Sequence, residues 1–389
     1  MKIWTGSANL NIRLTICLTA IALVFVKPAA AAEEDNADTG SPIASGLPLD
    51  AVPDLRDEKN RLIVQKGDFV AVPIPMSSPT FGTGLIVGAA YFYGQTAEQK
   101  ETQPASFTGA AAAYTDNDSK AIGIGQQNYW DADKWRFTGI AGFVDFKFEL
   151  RDPDTGGSGE LDWDIDGGIF QATLSRKIGG RWYGGLLARY LDITQDLVVP
   201  GSPSDFDVDS RIESVGAGLV AEYDSRDVPT NAYSGRRFEA KAIFSRADGT
   251  ETSTYQGYYL RIRSYHQLKA PVVIAWDINS CTKNGNFPLW DTCRINLRGF
   301  ALTDYLGKQS ISGQIEARYR ASERWGFVAF AGAGHISDSF SVQGDNERVP
   351  SYGVGVRFMV LKSKRLNFRV DYARSDDNDA WYLAVGEAF

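Results

Sequence analysis

The side chains in this chain that could attack, ligate or shuttle protons are few: His266, His335, Cys281 and Cys293, with Cys17 near the start. A zinc centre takes three or four protein ligands. Two cysteines and two histidines far apart in the sequence do not supply that set, so neither a metal nor a cofactor is expected. A hydrolase would pair His266 or His335 with a serine, but the Gly-x-Ser-x-Gly elbow that presents such a nucleophile is missing. An outer-membrane hydrolase is therefore a remote alternative, and the chain is read as having no enzymatic activity. What remains is the chemistry of thiols and ion pairs. The 48 acidic residues exceed the 40 Lys and Arg, for a net charge of −8, and this lacks the cationic footprint of a nucleic-acid-binding protein.

The elements that hold these residues begin after a leader. Lys2 and Arg13 precede the short apolar run Leu14–Val26, and Ala30, Ala31 and Ala32 precede Glu33. This is the pattern of a secretory signal peptide, assigned to residues 1–32. Its removal takes away Cys17 and three cations, and leaves Cys281 and Cys293 as an even pair in an oxidising compartment, where a disulfide between them is expected. Residues 33–67 are polar and carry Pro42, Pro48 and Pro53, and read as a largely unstructured periplasmic lead-in.

From residue 68 the pattern becomes one of period two. In 311–321, Ile311, Ile315, Ala317 and Tyr319 share one face and Ser312, Gln314, Glu316, Arg318 and Arg320 the other. In 366–373, Leu366, Phe368, Val370 and Tyr372 oppose Asn367, Arg369 and Asp371. Phe238, Ala240, Ala242 and Phe244 likewise oppose Arg237, Glu239 and Lys241. Soluble sandwiches alternate too, but here the polar faces are dense in charge of both signs, and Trp and Tyr gather near segment ends (Trp130, Trp135, Trp182, Trp325, Trp381), as in membrane girdles. After the leader no run of 18 apolar residues occurs, which excludes helical spans. The expected fold is all-β: a single transmembrane antiparallel barrel over 68–389, with sixteen strands so that both termini lie on the periplasmic side. The first strand, near Asp68–Pro75, is the weakest because of Pro73 and Pro75. Trp381, Leu383, Val385 and Phe389 fit a last strand with alternate apolar residues, from which Glu387 departs.

Several motifs resemble the BamA/TamA group of outer-membrane proteins, the bacterial surface antigens. Glu222-Tyr-Asp224-Ser-Arg226-Asp227-Val-Pro229, followed by Gly235, is similar to that group's hairpin motif, whose role there is structural. Arg298-Gly299-Phe300 resembles the tip of the group's long sixth extracellular loop, and Gly313-Gln-Ile-Glu316-Ala-Arg318 the strand after it. Tyr352–Arg357 and Phe368–Ala373 resemble the last strands, and the prolines and glycines of 73–84 the barrel entry. The resemblance spans 68–389.

It implies an outer-membrane barrel that helps polypeptides insert into or cross the membrane, with a solute channel as the alternative. The partners implied are outer-membrane lipid, the assembly machinery for the barrel's own insertion, and a polypeptide client. The group's periplasmic substrate-binding repeats find no match in residues 33–67, so capture of the client would fall to a periplasmic partner. The terminal residues Phe389, Val385, Leu383 and Trp381 would be part of the signal read during insertion. Strand parity places Glu316 on the lumen side, so a loop folded into the lumen would meet it with Arg298. Relatives are expected to add an acid in the next strand, where this chain has Gly332, so Glu316 is expected to hold the loop alone. Cys281 and Cys293 are expected in the same loop.

Overall fold

The protein was analysed as a computed structural model, which describes residues 67–152, 159–198, 207–339, 348–362, 365–375 and 379–389. The leader and nearly all of the lead-in lie outside these residues. The barrel strands run in chain order: β1 (Asp68–Ser78), β2 (Gly82–Phe92), β3 (Phe107–Thr115), β4 (Lys120–Trp130), β5 (Trp135–Asp152), β6 (Gly159–Gly179), β7 (Trp182–Val198) and β8 (Asp207–Asp224) form the first half. β9 (Gly235–Asp248), β10 (Thr252–Lys269), β11 (Val272–Gly285), β13 (Leu306–Arg320), β14 (Trp325–Ser339), β15 (Arg348–Leu361), β16 (Leu366–Ser375) and β17 (Asp379–Val385) form the second. The two-residue β12 (Cys293–Arg294) belongs to the β11–β13 connection and pairs with the start of β13. A single capped turn of helix, α1 (Ala97–Thr102), sits between β2 and β3. Each barrel strand pairs antiparallel with its sequence neighbours, and β1 meets β17, closing sixteen strands into a barrel.

Alternation decides which side each residue faces. Ile311, Ile315 and Tyr319 are about half exposed on the outer face, whereas Ser312, Gln314, Glu316 and Arg318 on the same strand are buried inside. Leu186, Leu219, Phe244 and Val354 extend the apolar outer surface around the sheet. Such a surface suits hydrocarbon, and the closed ladder leaves few backbone groups for a lipid phase to strip of partners. On the inner face charges pair across and along strands: Arg261 makes a two-point contact with Asp277, at 2.9 and 2.8 Å, and Arg237 and Lys241 flank Glu239.

One junction is weak. β1 is in register with β2 along its whole length, from Asp68↔Phe92 to Ser78↔Gly82. On its other side it meets β17 at a single registered position, Ser77↔Leu383. By comparison β16 and β17 are in register from Phe368↔Val385 to Arg374↔Asp379. Pro73 and Pro75, which made β1 doubtful as a strand, are explained by this: a strand with one sparsely paired edge tolerates residues without an N–H.

Candidate functional site

The β11–β13 connection folds into the barrel, because it carries apolar side chains that need cover. Ile295, Leu297, Phe300 and Tyr305 bury together with Ile336 of β14 and Val349 of β15. Nearer its start, Leu289 and Trp290 pack beside Trp163, Ile165 and Ile193 of β6 and β7. The sulfurs of Cys281 and Cys293 lie 1.96 Å apart, with Cα atoms 5.6 Å apart. Cys281 was expected within the loop, but it is part of β11, in register with Tyr259 and Ser310. Polar residues around it hid the strand in the sequence, yet a hydrogen-bonded ladder continues regardless of side-chain polarity. Cys293 of the loop therefore lies against Cys281 in the barrel wall.

At the tip, Arg298 is 6% exposed and sits over the Phe330 ring, 3.4 Å from its centroid. Its guanidinium donates to Glu316 of β13 at 2.5 Å and to Asp371 of β16 at 2.8 Å, and its Nε donates to Gln314 at 2.8 Å. The tip backbone is held as well: Ser351 Oγ donates to the Arg298 carbonyl at 2.5 Å, and Ser375 Oγ to that of Gly299 at 3.0 Å. The Gly299 N–H donates to the Tyr382 hydroxyl at 2.7 Å. Gly299 has φ +104°, a left-handed turn that a glycine adopts without strain. The tip also reaches the β1–β2 turn, where the Leu302 N–H donates to Thr80 Oγ1.

Arg298 and Glu316 are thus brought together, but Glu316 does not act alone. The second carboxylate comes from β16, not from the strand following Glu316. A side chain at 332 would not fit there: a Cβ at Gly332 would lie 2.7 Å from the Gly313 carbonyl oxygen and 3.1 Å from Leu297 Cδ2. Asp371 had been placed on the polar face of its strand, so parity signalled its direction but not its proximity to Arg298. Glu316 binds one further arginine, Arg318 at 2.6 Å, and Asp371 binds two, Arg369 at 2.7 Å and Arg357.

Sequence reasoning missed a second anchor. Asp291, in the short 3-10 turn Leu289–Asp291, accepts from Arg189 of β7 at 2.7 Å and the Tyr255 hydroxyl of β10 at 2.8 Å, and forms an ion pair with Lys283 of β11 at 2.8 Å. The loop is therefore held at both ends of its lumenal course, by an acid at 291 and by an arginine at 298.

The Asp224–Gly235 motif forms the β8–β9 turn. Asp224 takes a two-point contact from Arg226, at 3.0 and 2.7 Å, and Arg226 also donates to the Pro229 carbonyl at 2.9 Å. Asp227 accepts from the amides of Tyr233 and Ser234, and Arg365 of the β15–β16 turn reaches it at 2.6 Å. Gly235 opens β9 where a Cβ would lie 2.3 Å from the Ser225 carbonyl oxygen. The turn therefore bends under the barrel mouth towards strands well away from its own. His266 and His335 each contact a serine two positions away on the same strand, Ser264 at 2.9 Å and Ser337 at 3.2 Å.

The chain end differs from expectation. Trp381, Leu383 and Val385 lie in β17, with Trp381 58% exposed on the outer face. Phe389 does not continue that face. Gly386, at φ +99°, turns the chain inward, and Phe389 buries beside Ala232, Tyr265 and Ala275 inside the mouth. Glu387, the residue that broke the alternation, faces Arg357 and Asn367 in the lumen.

No family model and no curated protein matches the chain. Among solved structures it is similar to BamA from Haemophilus ducreyi lacking POTRA domains 1–3, at 12% identity and TM-score 0.56, over 83% of this chain and 70% of that one. It is also similar to CdiB from Acinetobacter baumannii (11%, TM-score 0.52, 82% of this chain and 59% of that one). CdiB from Escherichia coli gives 8%, TM-score 0.51, and coverage of 81% and 63%, so the chain spans about three fifths of either CdiB. At these identities the likeness is one of fold: the chain is a sixteen-stranded closed barrel of the BamA type, the architecture also found in CdiB.

Proposed function

We propose that this barrel resides in the bacterial outer membrane and assists polypeptides in entering or crossing it, with the β1–β17 seam as the opening and the β11–β13 loop as the device that sets the closed state. The observation that carries this reading is the seam, where two strands share the single position Ser77↔Leu383. Beside it the exposed part of β1 at 68–73 presents a strand edge to which another chain could add by main-chain hydrogen bonds. A solute pore gains nothing from such a junction, and its lumen would be obstructed by the loop. In this reading residues 1–32 are cleaved on export, both termini face the periplasm, Cys281 and Cys293 form a disulfide, and a periplasmic partner delivers the client.

A photo-crosslinking side chain at Val72, in the open part of β1, tests the reading in cells. Covalent adducts with other polypeptides are expected, and they should disappear when a cysteine pair at Ser77 and Leu383 ties the seam. Adducts to lipid alone, with solute conductance unchanged by the tie, would instead establish the channel reading.

A further inference from the structure

The tail after β17 and the loop tip share one charged circuit. Inside the mouth, Glu387 accepts from Arg357 Nε at 2.8 Å and from Asn367 Nδ2 at 2.5 Å, and the Gly386 N–H donates to the Asn367 carbonyl at 2.7 Å. The Phe389 carbonyl accepts from Arg318 Nη2 at 3.1 Å, and the Phe389 ring lies 5.5 Å from the Arg318 guanidinium. The two arginines that grip the tail are also the ones that grip the carboxylates of the loop site. Arg318 holds Glu316 and Arg357 holds Asp371, and both carboxylates hold Arg298. From the tail the contacts thus run through Arg318 and Glu316 to Arg298, and back through Asp371 and Arg357 to Glu387. The side chains of this ring are at most 8% exposed, so water screens these charges little and each partner fixes the orientation of the next. Where a Cβ would stand at Gly386 no heavy atom lies within 4 Å, so the inward turn rests on the glycine's conformation and on the bonds beyond it, not on crowding.

We infer that residues Gly386–Phe389 are a latch on the lumenal loop, with Arg318 and Arg357 as the positioning residues that transmit its state to Arg298. With the tail tucked in, both carboxylates are held where the loop arginine binds them. With the tail withdrawn, Arg357 loses Glu387 and turns on Asp371 alone, Arg318 loses its backbone acceptor, and the two acids are no longer presented as a fixed pair. A tail drawn out along the β1 edge would therefore loosen the loop from the opposite end of the lumen, so the seam and the loop would release together. This last consequence rests on the proposed role of the seam; the coupling itself does not.

Amide hydrogen exchange on the intact barrel in lipid vesicles tests the coupling. The Gly299 and Leu302 amides, bonded to Tyr382 and Thr80, report on the loop, and the Gly386 amide, bonded to Asn367, on the tail. Glu387→Gln keeps the side chain's shape and removes its charge. It is expected to speed exchange at Gly386 and, on the order of tenfold, at Gly299 and Leu302, a typical coupling between sites. Because coupling is reciprocal, Arg298→Ala should speed exchange at Gly386, a measurement that stands even if Glu387→Gln fails to fold. In the Arg298→Ala background Glu387→Gln should add nothing at the loop. Exchange faster at Gly386 but unchanged at Gly299 and Leu302 overturns the inference and leaves the tail a filler of the mouth; no change at Gly386 in either variant overturns it as well. Neither result depends on whether polypeptide adducts form at β1, so the latch and the proposed function can fail separately.

Discussion

Arg298 lies in a network of four guanidinium groups (Arg298, Arg318, Arg357, Arg369) and three carboxylates (Glu316, Asp371, Glu387), so its formal sum is 4 − 3 = +1. Removing Arg298 brings the sum to 0 and leaves both acids with another arginine. Removing Glu316 raises it to +2 in a buried site. The two substitutions should therefore separate. Arg298→Ala should free the loop, raising protease cleavage around residues 281–300, at a cost to the barrel of about 1–3 kcal/mol for lost charge-assisted hydrogen bonds. Glu316→Gln should cost more, about 3–5 kcal/mol, as expected when one partner of a buried ionic group is withdrawn. Urea unfolding in vesicles measures both, and the reverse order would count against this account of the site. The swap Arg298→Glu with Glu316→Arg should not restore the loop, because the new acid would face Asp371 at the position where the guanidinium now sits 2.8 Å away. At this scale period-two parity made Glu316, Arg318, Arg369 and Asp371 legible as lumenal. It could not tell that Asp371 meets the loop, nor find Asp291, because a loop's path has no period to read.

The β8–β9 turn shows the same boundary for elements. Its Asp, Arg and Pro were legible as turn chemistry, but the reach of Asp227 to Arg365, 138 positions away, was not. That contact carries a pH dependence. Burial opposes ionisation of Asp227, but the Arg365 guanidinium and the Ser234 and Tyr233 amides outweigh it and hold its carboxyl below the ordinary value. A carboxyl with a lowered folded-state pKa adds stability above its unfolded pKa and loses it as the pH falls through the folded value. The stability difference between the wild type and Asp227→Asn should therefore be constant near neutrality, begin to shrink below about pH 4, and vanish in stronger acid. A difference that is flat across that range would mean the Arg365 pair contributes nothing. The tail taught the opposite lesson. Glu387, a charge at a position where alternation called for an apolar residue, was the sign that the strand had ended, and only the left-handed Gly386 explains how the next residues turn inside.

For the molecule as a whole the alternation pointed to the all-β closed barrel, whereas the inward loop was legible only through the resemblance of Arg298-Gly299-Phe300 to a known loop tip, and the orientation of the barrel in its membrane is a matter for labelling. A cysteine introduced at Asn286, in a background without Cys281 and Cys293, should react with an impermeant reagent on intact cells. One at Thr230, in the β8–β9 turn, should react only after the outer membrane is opened; the reverse pattern would invert the topology. The two anchors of the loop have one further mechanical consequence. Asp291 ties it to β7 and β11, Arg298 ties it to β13 and β16, and at the mouth Asp227 and Arg365 join the turns beyond β8 and β15. The ion pairs of Asp291 and Arg298 do not reach β1 to β4, which the loop meets through the Leu302–Thr80 bond at the β1–β2 turn; these strands are built with small residues such as Gly88, Ala89, Gly109, the run Ala110–Ala113, Gly123 and Gly125. The seam thus divides a braced wall from a pliant one: β17 stands as a doorpost fixed to the far side of the frame, and if the seam opens as proposed, it is the thin panel of β1 to β4 that should swing.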